Sequence, residues 1–176
     1  MNLQQLIVDS IGQSVTQVFS TMLGVEIRAG EASLEHGTPE ANDGVVSFIG
    51  VAGAWTGTGS LACSSKLACR ICSHMLMTET LAINEEVLDA VAEVTNMIIG
   101  CVKTDLEPHL GPLGLSLPTV VFGRNFRTKS TGSTQWNVVR FPWEDGLLLV
   151  KLCLAPNERA GHAIPHAPGQ ACALEV

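Results

Sequence analysis

Between positions 87 and 102 the chain sets Val87, Val91, Val94, Ile98 and Val102 at steps of three and four. That spacing lines one side of an α-helix with apolar side chains. The other side carries Asp89, Glu93, Asn96 and Gly100, which fall within roughly 60° of one another at about 100° per residue. A helix divided in this way lays its valine side on a larger apolar surface. Its front then holds acids, a carboxamide and a bare glycine on a rigid frame, where they can fix a polar group or a water against a partner. An ordinary solvated helix face has the same pattern, so spacing alone does not separate the two readings.

The elements around this helix follow from local signals. Residues 2–22 place Leu3, Leu6, Ile7, Ile11, Val15, Val18, Phe19 and Met22 at helical spacing, with Gly24 as a stop. Residues 25–34 alternate apolar and polar as a half-buried strand does, and 35–44 are rich in turn formers. Strands are predicted over 45–51 and 55–63. Ser64 is placed to cap a helix reaching about residue 77. Asn84 is placed to cap the central helix, with Glu85 and Glu86 in its first turn, where acids complement the helix dipole. That helix is predicted to reach about Leu106 and to stop near Pro108. Residues 109–118 are expected as an ordered loop and 119–122 as a short strand, and 124–133 is the most basic stretch, with Arg124, Arg127 and Lys129. Two further strands, 135–141 and 147–154, flank the hairpin signal Pro142-Trp143-Glu144-Asp145-Gly146. Periodicity is lost from Ala155. One domain over residues 1–155 is expected, followed by a loosely attached tail over 156–176.

Composition excludes several function classes. The net charge of −7 comes with no basic cluster, which argues against a nucleic-acid binder. No apolar run approaches ~18 residues, so no membrane span is expected, and the first residues lack the basic region of a signal peptide. A cytoplasmic chain is expected, with its six cysteines reduced. Charged residues make up only 15% of the chain against 46% hydrophobic, enough for a sizeable core and for an apolar contact with a second copy.

Asp89-x3-Glu93-x2-Asn96 resembles the signature of the CheC/CheX family of chemotaxis phosphatases, in which a Ser or Asp, a Glu and an Asn share one helix. Pro118, with 21 residues between it and Asn96, stands one position off the family's usual proline. The element order over roughly residues 1–155 is also CheX-like. Only one copy of the motif is present, as in CheX; CheC-type members usually carry two. The resemblance implies an α/β (α+β) fold of the CheC-like type, a mostly antiparallel sheet with packed helices. It implies a phosphatase acting on the aspartyl phosphate of a response-regulator receiver of the CheY type, in chemotaxis or two-component signalling. By the same analogy Glu93 and Asn96 are catalytic, Glu93 pairing with the receiver's active-site lysine and Asn96 orienting a water. Asp89, Gly100 and Pro118 contribute to docking. No cofactor belongs to this chain; magnesium is expected on the receiver. A homodimer paired through strand edges is implied, with the two C-terminal strands as the expected contributors.

Other constellations compete with this one. Cys63, Cys69, Cys72 and His74 invite a zinc or iron–sulfur reading, but they fall in a segment of helical periodicity and are expected to pack as buried thiols. Gly53, Gly57 and Gly59 precede strand-like sequence rather than a helix, and so predict close strand packing rather than a phosphate loop. His162 and His166 lie in the irregular tail. The alternative to catalysis is a receiver-binding module, or one like a flagellar switch protein, that hydrolyses nothing.

Overall fold

Asn2, Ser64 and Asn84 each start a helix by turning a side-chain oxygen back onto a first-turn amide, at 3.1 Å to Gln4 N, 3.3 Å to Leu67 N and 2.9 Å to Val87 N. The computed structural model describes residues 2–36, 40–128 and 135–157. In chain order they form α1 (Leu3–Val18), β1 (Ala32–His36), β2 (Glu40–Gly53), β3 (Trp55–Cys63), α2 (Ser65–Leu76), α3 (Glu85–Leu110), β4 (Leu113–Leu115), β5 (Thr119–Thr128), β6 (Gln135–Trp143) and β7 (Gly146–Pro156). A π-helical turn, Phe19–Leu23, extends α1, and Gly24 ends it in the left-handed conformation at φ 66°.

All seven strands join one antiparallel sheet in the order β1-β6-β7-β3-β2-β4, with β5 also paired to β2. Val45, Ile49 and Val51 of β2, Leu61 of β3, Val139 and Phe141 of β6, and Val150 and Leu152 of β7 share a single apolar cluster with residues of all three helices. The helices therefore cover one side of the sheet. Val87, Val91, Val94, Ile98 and Val102 of α3 are wholly buried in it, each contributing about 1.5–3 kcal/mol before ordering costs. Beneath α3 the sheet is notched: a Cβ on Gly59 would stand 2.8 Å from Ile99 Cδ1. The helix comes this close only because β3 has no side chain there. This is the close packing expected of the glycine-rich segment.

Several elements differ from the sequence expectation. Residues 25–31 are not a strand; β1 begins at Ala32. Before Ala32 the ladder slips at Arg140, whose amide donates to Glu31 O at 2.9 Å while its carbonyl accepts from Gly30 N at 2.7 Å rather than from Glu31, and Pro142 farther along has no amide to resume it. The preceding segment instead lies against α1, where the Thr16 hydroxyl donates to Ile27 O at 3.3 Å. The expected turn over 35–44 is mostly strand, because β2 starts at Glu40 and pairs with an equally unexpected extension of β5 to Thr128. The glycine and turn formers at 37–39 lie outside the described residues. α3 passes Pro108 and ends at Leu110. A proline in the last turn costs one ladder bond, and the remaining residues are held by Gly111 N donating to Glu107 O at 2.9 Å. The expected loop at 109–118 contains β4, whose Leu113 amide donates to Glu107 Oε1 at 3.0 Å. Ala155 and Pro156 belong to β7, opposite Thr56 and Trp55, so loss of periodicity there marks a sheet border. Residues 158–176, with His162 and His166, lie outside the described residues. The C-terminal strands are not sheet edges: β6 is paired by β1 and β7, and β7 by β6 and β3. Among the described residues the open edges belong to β1, β4 and β5.

Cys63, Cys69, Cys72 and Cys153 are buried and Cys101 is half-buried. Burial, with Cys69 beside it, pushes the Cys63 thiol up to about 12, which leaves it protonated and unreactive at neutral pH. In the folded protein at neutral pH, iodoacetamide is expected to alkylate Cys101 while sparing Cys63, Cys69, Cys72 and Cys153 until denaturant is added. Peptide mass mapping reads the order, and prompt labelling of Cys69 and Cys72 would contradict their placement in the core.

Candidate functional site

With its valine side fixed on the sheet, α3 turns one line of residues outward. Asp89, Glu93 and Asn96 are exposed and Gly100 is half-buried. A Cβ on Gly100 would meet nothing within 4 Å, so the fold itself does not require glycine here. Between Glu93 and Asn96, Thr95 is wholly buried and donates its hydroxyl to Val91 O at 2.7 Å. It therefore leaves the outer face to its neighbours.

From Asn96 toward the C-terminal end of α3, the surface falls into a cleft of about 470 Å³ between α3 and α1. Asn96, Gly100 and Thr104 form one wall, Gln13 and Gln17 of α1 face them, and Met97 and Cys101 lie alongside. The two helices are tied at this level by Ser10 Oγ donating to Asp105 Oδ2 at 2.8 Å. Among the described residues no lysine, arginine or histidine lines the cleft. Nearby Lys103 is paired with Glu107 at 3.0 Å. The Leu113 amide, with Lys103, holds the Glu107 carboxyl below the usual carboxylate range, and this pins the end of α3 to β4.

The structure thus brings Glu93, Asn96 and Gly100 into one continuous line, with Asp89 at its N-terminal end. Glu93 and Asp89 lie outside the cleft, and Asn96 lies at its rim. Pro118 is carried elsewhere, half-buried between β4 and β5, and does not line the cleft. Sequence reasoning did not single out Gln13 and Gln17. They are a polar i, i+4 pair opposite the apolar stripe of α1, but nothing local says that this side of α1 meets α3. Cys63 belongs to β3, and Cys69, Cys72 and His74 to α2. Among the described residues no group of three or more His, Cys, Asp or Glu could hold a metal ion, and no helix is long and apolar enough to cross a membrane.

An outward carboxylate and carboxamide three positions apart on a rigid helix can dock against a cation and orient a water, without a nucleophile of the chain's own. The family model described as chemotaxis phosphatase CheX matches residues 45–141, a stretch that contains all of α3. The CheY-P phosphatase CheX of Thermotoga maritima is 33% identical over 129 residues, which cover 72% of this chain and 81% of that one. A CheC-like superfamily protein from Shewanella sp. PV-4 has the same fold, with a TM-score of 0.76 and 27% identity over 88% of this chain and 99% of the other. A chain of the CheX–CheY–BeF3–Mg2+ complex from Borrelia burgdorferi is alike in fold, at a TM-score of 0.70 and 22% identity over 84% of this chain and 97% of that one. With the family match spanning more than half of its length and enclosing the whole of α3, the chain belongs to the CheX family of chemotaxis phosphatases.

Proposed function

We propose that this protein hydrolyses the aspartyl phosphate of a CheY-type response-regulator receiver in the cytoplasm, using Glu93 and Asn96. The observation that carries the reading is the pairing of these two outward side chains on a helix whose opposite side is wholly buried, in a chain of the CheX family. An aspartyl phosphate is a mixed anhydride with a good leaving group, and the receiver supplies the magnesium ion. Water oxygen attacks phosphorus, the bond from phosphorus to the carboxylate oxygen breaks, and inorganic phosphate and free aspartate result. What the reaction lacks is a water held in line, and positioning of this kind can be worth several kcal/mol. The Asn96 carboxamide can hold that water without bringing negative charge into a site crowded with phosphate oxygens. Glu93, one turn away, would meet the receiver's active-site lysine. Asp89 flanks the contact, and Gly100 leaves room for close approach. Pro118, on a separate element, acts only through the shape of the loop ahead of β5.

Asn96→Ala is expected to lower phosphate release from a phosphorylated receiver by about 100-fold or more while leaving binding within about twofold. Glu93→Ala is expected to weaken binding first, by roughly 30-fold or more, since it removes one partner of a desolvated charge pair. Steady-state release and titration with a receiver carrying beryllium trifluoride and magnesium separate the two effects. Wild-type turnover by Asn96→Ala would end the catalytic reading, and unchanged binding with no hydrolysis even by the wild type would favour the non-catalytic module.

Gly100→Ala is expected to stabilise the isolated protein by about 0.5–1 kcal/mol, since it raises helix propensity in open space, and to weaken receiver binding. Denaturant unfolding and the same titration check both signs. If stability rises and binding is untouched, Gly100 has no part in docking.

We further propose that the protein is a homodimer joined through the β5 edge. Among the described residues β5 pairs only with β2, and Val121 and Phe122 are 36% and 49% exposed on it. An apolar open edge of this kind is a liability unless covered. Pairing there leaves the outer face of α3 free. Light scattering is expected to give twice the chain mass at micromolar concentration, and Phe122→Lys to shift it toward the monomer. A monomeric wild type would refute this.

A further inference from the structure

The cleft between α1 and α3 has a chemistry of its own. Its lining carries three carboxamide residues, Gln13, Gln17 and Asn96, with Thr104, whose hydroxyl already donates to Gly100 O at 3.0 Å. Each carboxamide both donates and accepts. Its acid, Asp105, is already held by Ser10 at 2.8 Å, and among the described residues no cation lines it to attract phosphate or another anion. Ser14, on the α1 side of the cleft, is 2% exposed, and its hydroxyl has no hydrogen-bond partner. A buried hydroxyl left unpaired beside a cleft that carries carboxamides among apolar side chains points to a partner that comes from outside. Met97 and Cys101 add a soft, adaptable surface. Neutral groups that both give and accept hydrogen bonds match the main-chain N–H and C=O groups of a peptide segment. The cleft volume of about 470 Å³ falls in the ~300–1,000 Å³ range of sites that hold small ligands. That suits a few residues of chain rather than a whole element.

We propose that this cleft is the second half of the receiver-docking surface: Gln13 and Gln17 of α1, with Ser14 beneath, bind a main-chain segment of the receiver next to its phosphorylated aspartate. This rests on the phosphatase reading and adds to it a second helix, α1, and a specificity set by backbone shape rather than charge. The occupant follows from continuity. Asn96 forms the rim of the cleft and also faces the phosphoryl group, so whatever carries that group lies over the cleft mouth. Gln13 and Gln17 are docking residues; they do not touch the reacting atoms.

The test uses the full chain and a CheY-type receiver loaded with beryllium trifluoride and magnesium. The double variant Gln13→Ala, Gln17→Ala alters two exposed helix positions and removes no core contact. It is expected to raise Kd and KM by about tenfold, equivalent to two modest hydrogen bonds, with kcat within about twofold. Asn96→Ala should show the opposite split. Independently, the loaded receiver is expected to protect Cys101, half-buried beside the cleft, from maleimide, as read by peptide mass mapping. Unchanged Kd in the double variant with undiminished labelling of Cys101 overturns the proposal, while loss of turnover in Asn96→Ala in the same series leaves the phosphatase reading standing. If the receiver fails to bind, or Asn96→Ala turns over normally, the phosphatase reading fails and this proposal falls with it. Protection of Cys101 by a small molecule from the buffer, with none by the receiver, also overturns it.

Discussion

The seating of α3 on the sheet is the contact on which the rest of the molecule depends. Five wholly buried side chains, Val87, Val91, Val94, Ile98 and Val102, fix the rotation of the helix about its axis, and Ile99 over Gly59 fixes its height. A helix rotated by one residue would swing its outer line by about 100°, turning Asn96 toward the core. The outer face can therefore be exposed and still have a defined direction. Its stiffness comes from behind, from apolar packing, and not from hydrogen bonds among the functional groups themselves.

That arrangement suits a protein whose partner brings most of the chemistry. A carboxamide changes neither charge nor protonation over the physiological range, so its use depends on where it is held rather than on how its acidity is tuned. Stabilising elements lie well away from it. Ion pairs Lys66–Asp145 at 2.5 Å and Arg70–Glu144 at 3.1 Å tether α2 to the β6–β7 turn, and Trp143 stands edge-on to Phe19 at 5.3 Å beneath them. Exposed pairs of this kind add little stability individually. Their value is in keeping the β6–β7 hairpin and α2 in register.

What could be seen in the sequence divides along physical lines. Signals carried by a few neighbouring residues were accurate: the caps Ser64 and Asn84, the whole of β3, the valine stripe, and the line from Asp89 to Gly100. Signals that depend on a distant strand were not. β1 starts late because the ladder slips at Arg140, whose carbonyl takes the Gly30 amide in place of the one in register. β2 and β5 lengthen because each supplies the other's partners from Glu40 to Phe48, and three-residue β4 exists only by pairing with Val51–Gly53. The same limit applied at the site. Glu93 and Asn96 could be found on one helix, but Gln13 and Gln17 required knowing which side of α1 faces α3. Edge strands are likewise a property of sheet order, so the continuity and apolar character of the C-terminal strands do not make them the border.

The strand order also sets when this protein can become competent during synthesis. Ala32 pairs with Val139 and Leu61 with Val150, so the sheet is closed by the last strands made. α3 emerges near the middle of the chain with its apolar side ready and only β2 and β3 to lie on. The floor under it is complete only once β6 and β7 have inserted between β1 and β3. Such long-range pairing is slow and leaves apolar surface uncovered meanwhile. A nascent or truncated chain therefore carries Asp89, Glu93 and Asn96, the residues proposed to meet the receiver, without the support that aims them. Until the sheet is finished, the outer line of α3 has no fixed direction.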